Sequence, residues 1–367
     1  MKTALSHDWL NGMRGGEKCL EVFCRMFPGA PIFTLFYEKG KVSDTITAHP
    51  ICPSPLQKFP FIFSHYRNYL PFFSAAVETF DLKGYELVIS TSHCVAKGVR
   101  KAPGALHICY CFTPVRYAWA LFDDYFGDKP GFLKKGIGHF ISRLKRWDLA
   151  ANARVDHFVA ISEHVRRRIR DFYGRTADVI YPPVDTDFYF PDEGVVPSED
   201  YLMVSALVPY KRADLAIRAL GAMGRRLTVI GDGPERKKLE RMAGPTIQFL
   251  GWQSNEELRK HYRRARAVIF PGEEDFGIVP LEAQACGRFV IAYAKGGALE
   301  TVKDGKTGIF FHGANAEDLK RAVECFEKMT LDTKAARANA ERFGVKRFEL
   351  EMRELVSKLL KEKQGLR

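Results

Sequence analysis

The stretch AVIFPGEEDFGIVPLEAQACG, residues 267–287, decides how the chain is read. Ala267, Val268, Ile269 and Phe270 are apolar without interruption rather than in alternation, the pattern of a parallel strand covered on both faces. Pro271 and Gly272 then turn the chain, and Glu273, Glu274 and Asp275 make an acidic loop. A helix is expected from near Val279 and Pro280, because proline suits a first helical turn where its missing N–H costs nothing. In open α/β sheets the loop beyond such a strand is where ligands bind.

Glu274 lies in that loop and Glu282 eight positions on, inside the helix. Gly277 between them lets backbone approach a ligand, and the amides near Gly277, Ile278 and Val279 are placed to face an anion. Carboxylates accept hydrogen bonds from sugar hydroxyls, so two of them beside an anion-binding helix end suit a nucleotide sugar. A plainer reading stands beside this one: an acidic loop caps the helix, with Glu282 as an acid near its start.

Outward from this stretch, 367 residues with 46% hydrophobic content predict two domains of roughly 180 residues, each with a full core. No run of 18 apolar residues is present, and His7 and Asp8 come too early for a secretory leader, so the expected location is the cytoplasm. Eight cysteines without a CxxC pair argue for reduced thiols and against a zinc site or a disulfide framework. The net charge of +12 implies an anionic partner, and residues 129–175 carry twelve Lys or Arg against four acids. Residues 59–73, FPFIFSHYRNYLPFF, read as an interfacial patch for a membrane surface more than as a groove for bases, so nucleic acid is not the expected partner. A core helix fits the same composition equally.

Strands alternate with helices throughout. A strand over 3–6 leads through Gly12, Gly15 and Gly16 into a helix over 17–26, and further strands are predicted at 87–90, 107–111 and 157–160. A second series follows Tyr181-Pro182-Pro183-Val184-Asp185, with strands at 201–206, 227–230, 248–250, 267–270, 289–292 and 308–310. The fold class is therefore α/β, with two Rossmann-like halves and a long amphipathic last helix over about 349–361.

Several landmarks now coincide. Glu274-Asp275-Phe276-Gly277 with Glu282 resembles the E-x7-E motif of the retaining GT-B glycosyltransferases of family 4, and Pro209-Tyr210-Lys211-Arg212, Gly231-Asp232-Gly233-Pro234 and Lys295-Gly296-Gly297 lie where that family has its other motifs. Within the family the chain resembles bacterial mannosyltransferases of O-antigen and exopolysaccharide assembly. The resemblance implies a GT-B fold: an acceptor domain at 1–176, a nucleotide-sugar domain at 177–345 facing it across a cleft, and a C-terminal helix, 346–367, crossing back. It further implies transfer of a hexose, mannose from GDP-mannose, to a lipid-linked or glycan acceptor in cell-surface polysaccharide synthesis. Glu282 would hold the ribose, Glu274 the sugar, and Lys211 the diphosphate with Arg212, while Gly15 and Gly16 line the diphosphate from the first domain. His7 is a further catalytic candidate.

Two positions depart from the family pattern. Phe112 stands where a histidine is common, and Ala206 where an arginine usually precedes the phosphate lysine. Arg212, Arg116, His7 and His93 are the expected replacements, with Phe112 and Tyr117 as cleft candidates; a weakened, basic membrane- or nucleic-acid-binding relative is the alternative. A nucleotide-sugar epimerase or phosphorylase of the same fold is another. Asp185-Thr186-Asp187 follows two prolines and reads as a turn, so neither a metal nor another cofactor is expected. Anionic membrane is the expected docking partner of residues 129–175 and 59–73, placing the enzyme at the inner face of the membrane.

Overall fold

The computed structural model describes residues 1–119, 131–330 and 332–365, with the side chains of 116, 117 and 131–137 outside that description. Asp123-Asp124, an acidic pair without the spacing or strand context of a metal motif, falls outside it. The chain divides into two compact units, Met1–Pro183 with Phe348–Arg367, and Val184–Arg347.

In the first unit, seven parallel strands form one sheet. They are β1 (Thr3–His7), β2 (Ile32–Thr34), β3 (Ile51–Pro53), β4 (Leu87–Ser92), β5 (Leu106–Cys111), β6 (His157–Ala160) and β7 (Ala177–Val179). Their order is β3-β2-β1-β4-β5-β6-β7, so the chain winds one way from β1 and the other way from β4. That reversal opens a crevice beyond the carboxyl ends of β1 and β4. Every residue of β1, β4 and β5 is buried, which is why these strands show no alternation. β2, β3 and β7 are three residues each, too short to display any period, and the sequence did not announce them.

Gly15–Met26 is the first helix, and the last, Val345–Gly365, starts earlier than its sequence suggested because Phe348 is its anchor. Phe348 is fully buried and meets Phe23 and Tyr110 edge-to-face at 5.4 and 5.5 Å. Farther along, Lys363 donates to the Ala105 carbonyl at 2.5 Å.

In the second unit, β8 (Tyr201–Val204), β9 (Leu227–Ile230), β10 (Ile247–Gly251), β11 (Ala267–Phe270), β12 (Phe289–Tyr293) and β13 (Gly308–Phe311) are ordered β10-β9-β8-β11-β12-β13, again all parallel. β11 is central, with Val268 opposite Leu202 on one side and Val290 on the other. Ala267 and Ile269 enter one apolar cluster, while Val268 and Phe270 enter another. The unbroken apolar run is thus explained: alternate residues feed two cores. Asp185 Oδ1 accepts from the Phe188 amide at 2.9 Å, so Asp185-Thr186-Asp187 is a turn. Among the described residues no helix is long and apolar enough to cross a membrane.

Candidate active site

In the second unit the reversal of strand order falls between β8 and β11, and the loops beyond these two strands carry Lys211 and Glu274. Lys211 ends a single 3-10 turn, Pro209–Lys211, whose amide donates back to Val208 O at 3.1 Å. Its ammonium lies 5.4 Å from the centre of the Tyr210 ring and forms an ion pair with Glu274 Oε2. Both side chains are largely shielded, at 15% and 18% exposure, which strengthens the attraction over that of an open surface pair.

Three glycines make this meeting possible. A Cβ on Gly272 would lie 2.7 Å from Tyr210 O and 2.8 Å from Lys211 Cα, so any larger residue would force the β11 loop away from the β8 loop. Gly296 and Gly297 brace Glu274 from the next loop: the Gly297 amide donates to Glu274 O at 2.8 Å, and a Cβ on Gly297 would sit 2.3 Å from Phe276 Cα. These are backbone atoms that cannot yield, so Gly296 and Gly297 act here as braces. The β9 loop supports the other side, with Leu207 N donating to Asp232 O at 2.9 Å.

Helix Ile278–Ala285 begins at Gly277, which holds φ +91° and has no side chain of its own to cap the amino end. Gly277, Ile278 and Val279 therefore stand where the sequence placed them, at the start of the helix that follows Glu274. Glu282 lies deeper than expected: it is 3% exposed, and its Oε2 accepts from the Tyr262 hydroxyl at 2.9 Å. Tyr189 also bonds this carboxylate, and burial together with that charge pushes both phenols upward. Tyr189 and Tyr262 were absent from the sequence argument, since nothing local marks a tyrosine that will meet a carboxylate dozens of residues away. Arg212 turns aside. It adopts φ +53° at the cap of helix Ala213–Ala222, and its guanidinium grips Asp214 with bonds of 3.0 and 3.2 Å.

In the first unit the crevice beside β1 and β4 is organised by Asp8, which the sequence reading passed over. Asp8 is fully buried and accepts four backbone amides: His93 and Cys94 on Oδ2 at 2.7 and 2.9 Å, Val95 and Ala96 on Oδ1 at 2.6 and 2.8 Å. His93 Nδ1 also lies 3.0 Å from Oδ2. Burial alone would raise this carboxyl, but the His93 charge and the hydrogen bonds overcome it and hold Asp8 at about 2.

His7, His93, Phe112 and Gly16 converge beside it. His7 is 2% exposed with Nδ1 2.7 Å from Thr91 Oγ1. Thr91 donates its own proton to Ser6 O, so its oxygen accepts from His7 and the His7 proton sits on Nδ1. His7 Nε2 is 3.9 Å from Glu17 Oε1, beyond hydrogen-bond reach. Glu17 Oε2 accepts from the Arg14 amide at 3.0 Å and closes the helix start just before Gly15. A Cβ on Gly16 would be 3.4 Å from the Phe112 ring and 3.6 Å from His7 Cε1. Phe112 is 6.4 Å from the ring of His93, which is the more exposed of the two histidines. Arg116 and Tyr117 open the helix Arg116–Trp119, and their side chains lie outside the described residues.

Family comparisons agree with this anatomy. Residues 21–188 match the family described as Glycosyltransferase Family 4, and residues 186–343 match Glycosyl transferases group 1. The chain belongs to the GT-B glycosyltransferases of family 4. It is similar to a GDP-mannose-dependent alpha-(1-6)-phosphatidylinositol monomannoside mannosyltransferase of Mycolicibacterium smegmatis, 34% identical over 44% of this chain and 50% of that protein. A D-inositol 3-phosphate glycosyltransferase of Geodermatophilus obscurus is 32% identical over 53% of this chain and 51% of its own length. The matched region thus spans about half the length of these curated relatives. Among solved structures, Anabaena Alr3699/HepE in complex with UDP and glucose superposes with a TM-score of 0.71 at 18% identity, covering 97% of this chain and 99% of that one. Sucrose-phosphate synthase from Thermosynechococcus elongatus gives 0.71 at 17%, covering 99% and 100%. At such identities these two establish the fold alone. Among the described residues of this glycosyltransferase, no group of three or more His, Cys, Asp and Glu is gathered as metal ligands.

Proposed function

We propose that the chain is a retaining hexosyltransferase that moves mannose from GDP-mannose to a lipid-linked or glycan acceptor in cell-surface polysaccharide synthesis. The observation that carries this is the Lys211–Glu274 ion pair at the strand reversal of the second unit. Each partner of the pair is what one part of a nucleotide sugar needs. The diphosphate takes Lys211, a compact charge on a flexible stem, and Glu274, released from it, accepts hydroxyls of the sugar.

Transfer breaks the bond from the anomeric carbon to the diphosphate and forms a new one to an acceptor oxygen, whose proton passes to the departing phosphate. Negative charge grows on the leaving group, so Lys211 and the amides at the helix start, Gly277, Ile278 and Val279, lower the barrier where charge develops. Glu282, fixed by Tyr262, offers the ribose a carboxylate that does not swing. In this reading Lys211 supplies the cation that the diphosphate calls for, and Asp185-Thr186-Asp187, a turn, takes no part in the transfer. In the first unit His93 is the imidazole beside Phe112, which stands where the family commonly carries a histidine, and Gly15 and Gly16 open the helix next to them. The mannose and GDP assignment draws on the activity of the Mycolicibacterium smegmatis relative, and the lipid-linked acceptor on that enzyme's phosphatidylinositol monomannoside.

Glu274→Gln tests the reading. Glutamine keeps the shape of the side chain and leaves the backbone brace from Gly297 in place, so the fold should survive, while the transfer rate falls by about a hundredfold or more. GDP-, UDP-, ADP- and dTDP-sugars are compared for thermal stabilisation and for acceptor-dependent product. Binding by none of them refutes the proposal, and conversion of the sugar without an acceptor makes the chain an epimerase.

A further inference from the structure

Residues 59–73 fold as neither a single core helix nor a wholly exposed segment. The chain breaks into Ile62–His65, a 3-10 turn Tyr66–Tyr69 and Leu70–Val77, and this separates two sets of side chains. Ile62 and Phe73 turn inward with Tyr66 to pack on Trp9 and Phe36. Phe59, Phe61, Phe63 and Phe72 remain exposed, at 37%, 76%, 36% and 52%. Phe59 and Phe72 lie 6.1 Å apart, so these rings form a patch rather than scattered singles.

Phe61 is the most telling of them. It adopts φ +54°, a left-handed conformation that disfavours side chains, yet gains no burial in return. Strain held at an exposed ring stabilises nothing in the isolated fold, which is where function is to be sought. Along the sequence the charge of this segment has one sign. Between Asp44 and Glu78 the chain carries no acid, while exposed Lys58 and Arg67 flank the rings. The helix Gly131–Ala151 packs against Leu70–Val77 and adds Arg143 and Arg146 on its exposed side.

We infer that this face docks on an anionic lipid bilayer, with the phenylalanine rings entering the headgroup boundary and Lys58 and Arg67 meeting the lipid phosphates. Its position serves transfer. Trp9, directly beyond β1, touches both Tyr66 of this segment and His93 of the crevice, at 5.2 and 4.5 Å between rings. A bilayer held here lies at the ligand-binding end of the first sheet. The basic helix Glu163–Tyr173 is not part of the surface. It packs on β6 and β7 at the other end of the sheet, and Arg166 and Arg170 pair with Glu163 and Asp171. The inference goes beyond the donor chemistry and does not depend on which sugar is moved.

Flotation with vesicles of phosphatidylcholine alone, and of equimolar phosphatidylcholine and phosphatidylglycerol, tests it. The wild type should float with the mixed vesicles and far less with the neutral ones, and Phe61→Ser/Phe72→Ser should reduce binding about tenfold or more. Phe61→Gly relieves the left-handed strain, so it should weaken flotation while leaving Tm unchanged or higher. Transfer to a water-soluble glycan should be unchanged in both variants, so that the docking and transfer readings fail separately. Equal flotation on both vesicle types overturns the inference. So does a wild type that stays in solution as a dimer which Phe61→Ser/Phe72→Ser disperses, for the patch is then a protein interface.

Discussion

Asp8→Asn is expected to be among the most damaging single substitutions in the first unit, although Asp8 touches no substrate in the reading above. The carboxylate presents two oxygens to four amides at 2.6–2.9 Å. An asparagine offers one oxygen and turns an NH2 toward the other two amides, leaving two buried donors without an acceptor. At about 1–3 kcal/mol for each orphaned group, the loss is about 2–6 kcal/mol, a large part of a domain's stability. A pH arm checks the same reasoning. The folded carboxyl sits at about 2 against an ordinary 3.8, so its contribution is complete above pH 4 and disappears as pH falls toward 2, amounting to about 2 kcal/mol. Asp8→Asn should lack that segment of the pH–stability curve. Urea unfolding across pH 2–7, with hydrogen exchange at the amides of residues 93–96, reads both effects. Exchange at those amides as slow as in wild type, or a urea midpoint that does not move, would refute the account.

Other positions carry expectations of their own. Gly297→Ala should abolish donor-induced stabilisation without altering any group proposed to touch the donor, because its Cβ would collide with Phe276 backbone and displace Glu274; a donor titration by thermal shift decides this. Tyr262→Phe removes a buried donor from Glu282 and should cost about 1.5–3 kcal/mol in urea unfolding. Burial holds His107 at about 4 against an ordinary 6.5, so the unfolded chain binds the extra proton between those values. Stability contributed there is complete above pH 6.5 and lost as pH falls to 4, about 3 kcal/mol in all, and His107 should remain neutral by NMR at pH 6.

The fold was legible because its strongest strands are buried on both faces. Ala267 to Phe270 and Leu87 to Ser90 read as unbroken apolar runs, and the glycines and prolines after them mark where the chain turns. The three-residue strands β2, β3 and β7 were not legible, since they gain their place from pairing with longer neighbours. At the site, Glu274 and the Gly277 helix start stand out by residue type and spacing, whereas Lys211 is singled out only by the resemblance to the family. Arg212 looked equivalent to Lys211 in sequence, yet a left-handed backbone and Asp214 turn it away.

What the sequence determined by itself is the alternation of strand and helix and the chemistry available at each strand end, because both depend on near neighbours along the chain. Tertiary structure alone decided which of those groups meet. Asp8 finds its four amides 85 to 88 residues away, Glu282 meets Tyr262 across 20, and Glu274 reaches Lys211 only because Gly272 lets two loops touch. Such meetings follow from strand order, and strand order belongs to the sheet as a whole rather than to any stretch within it.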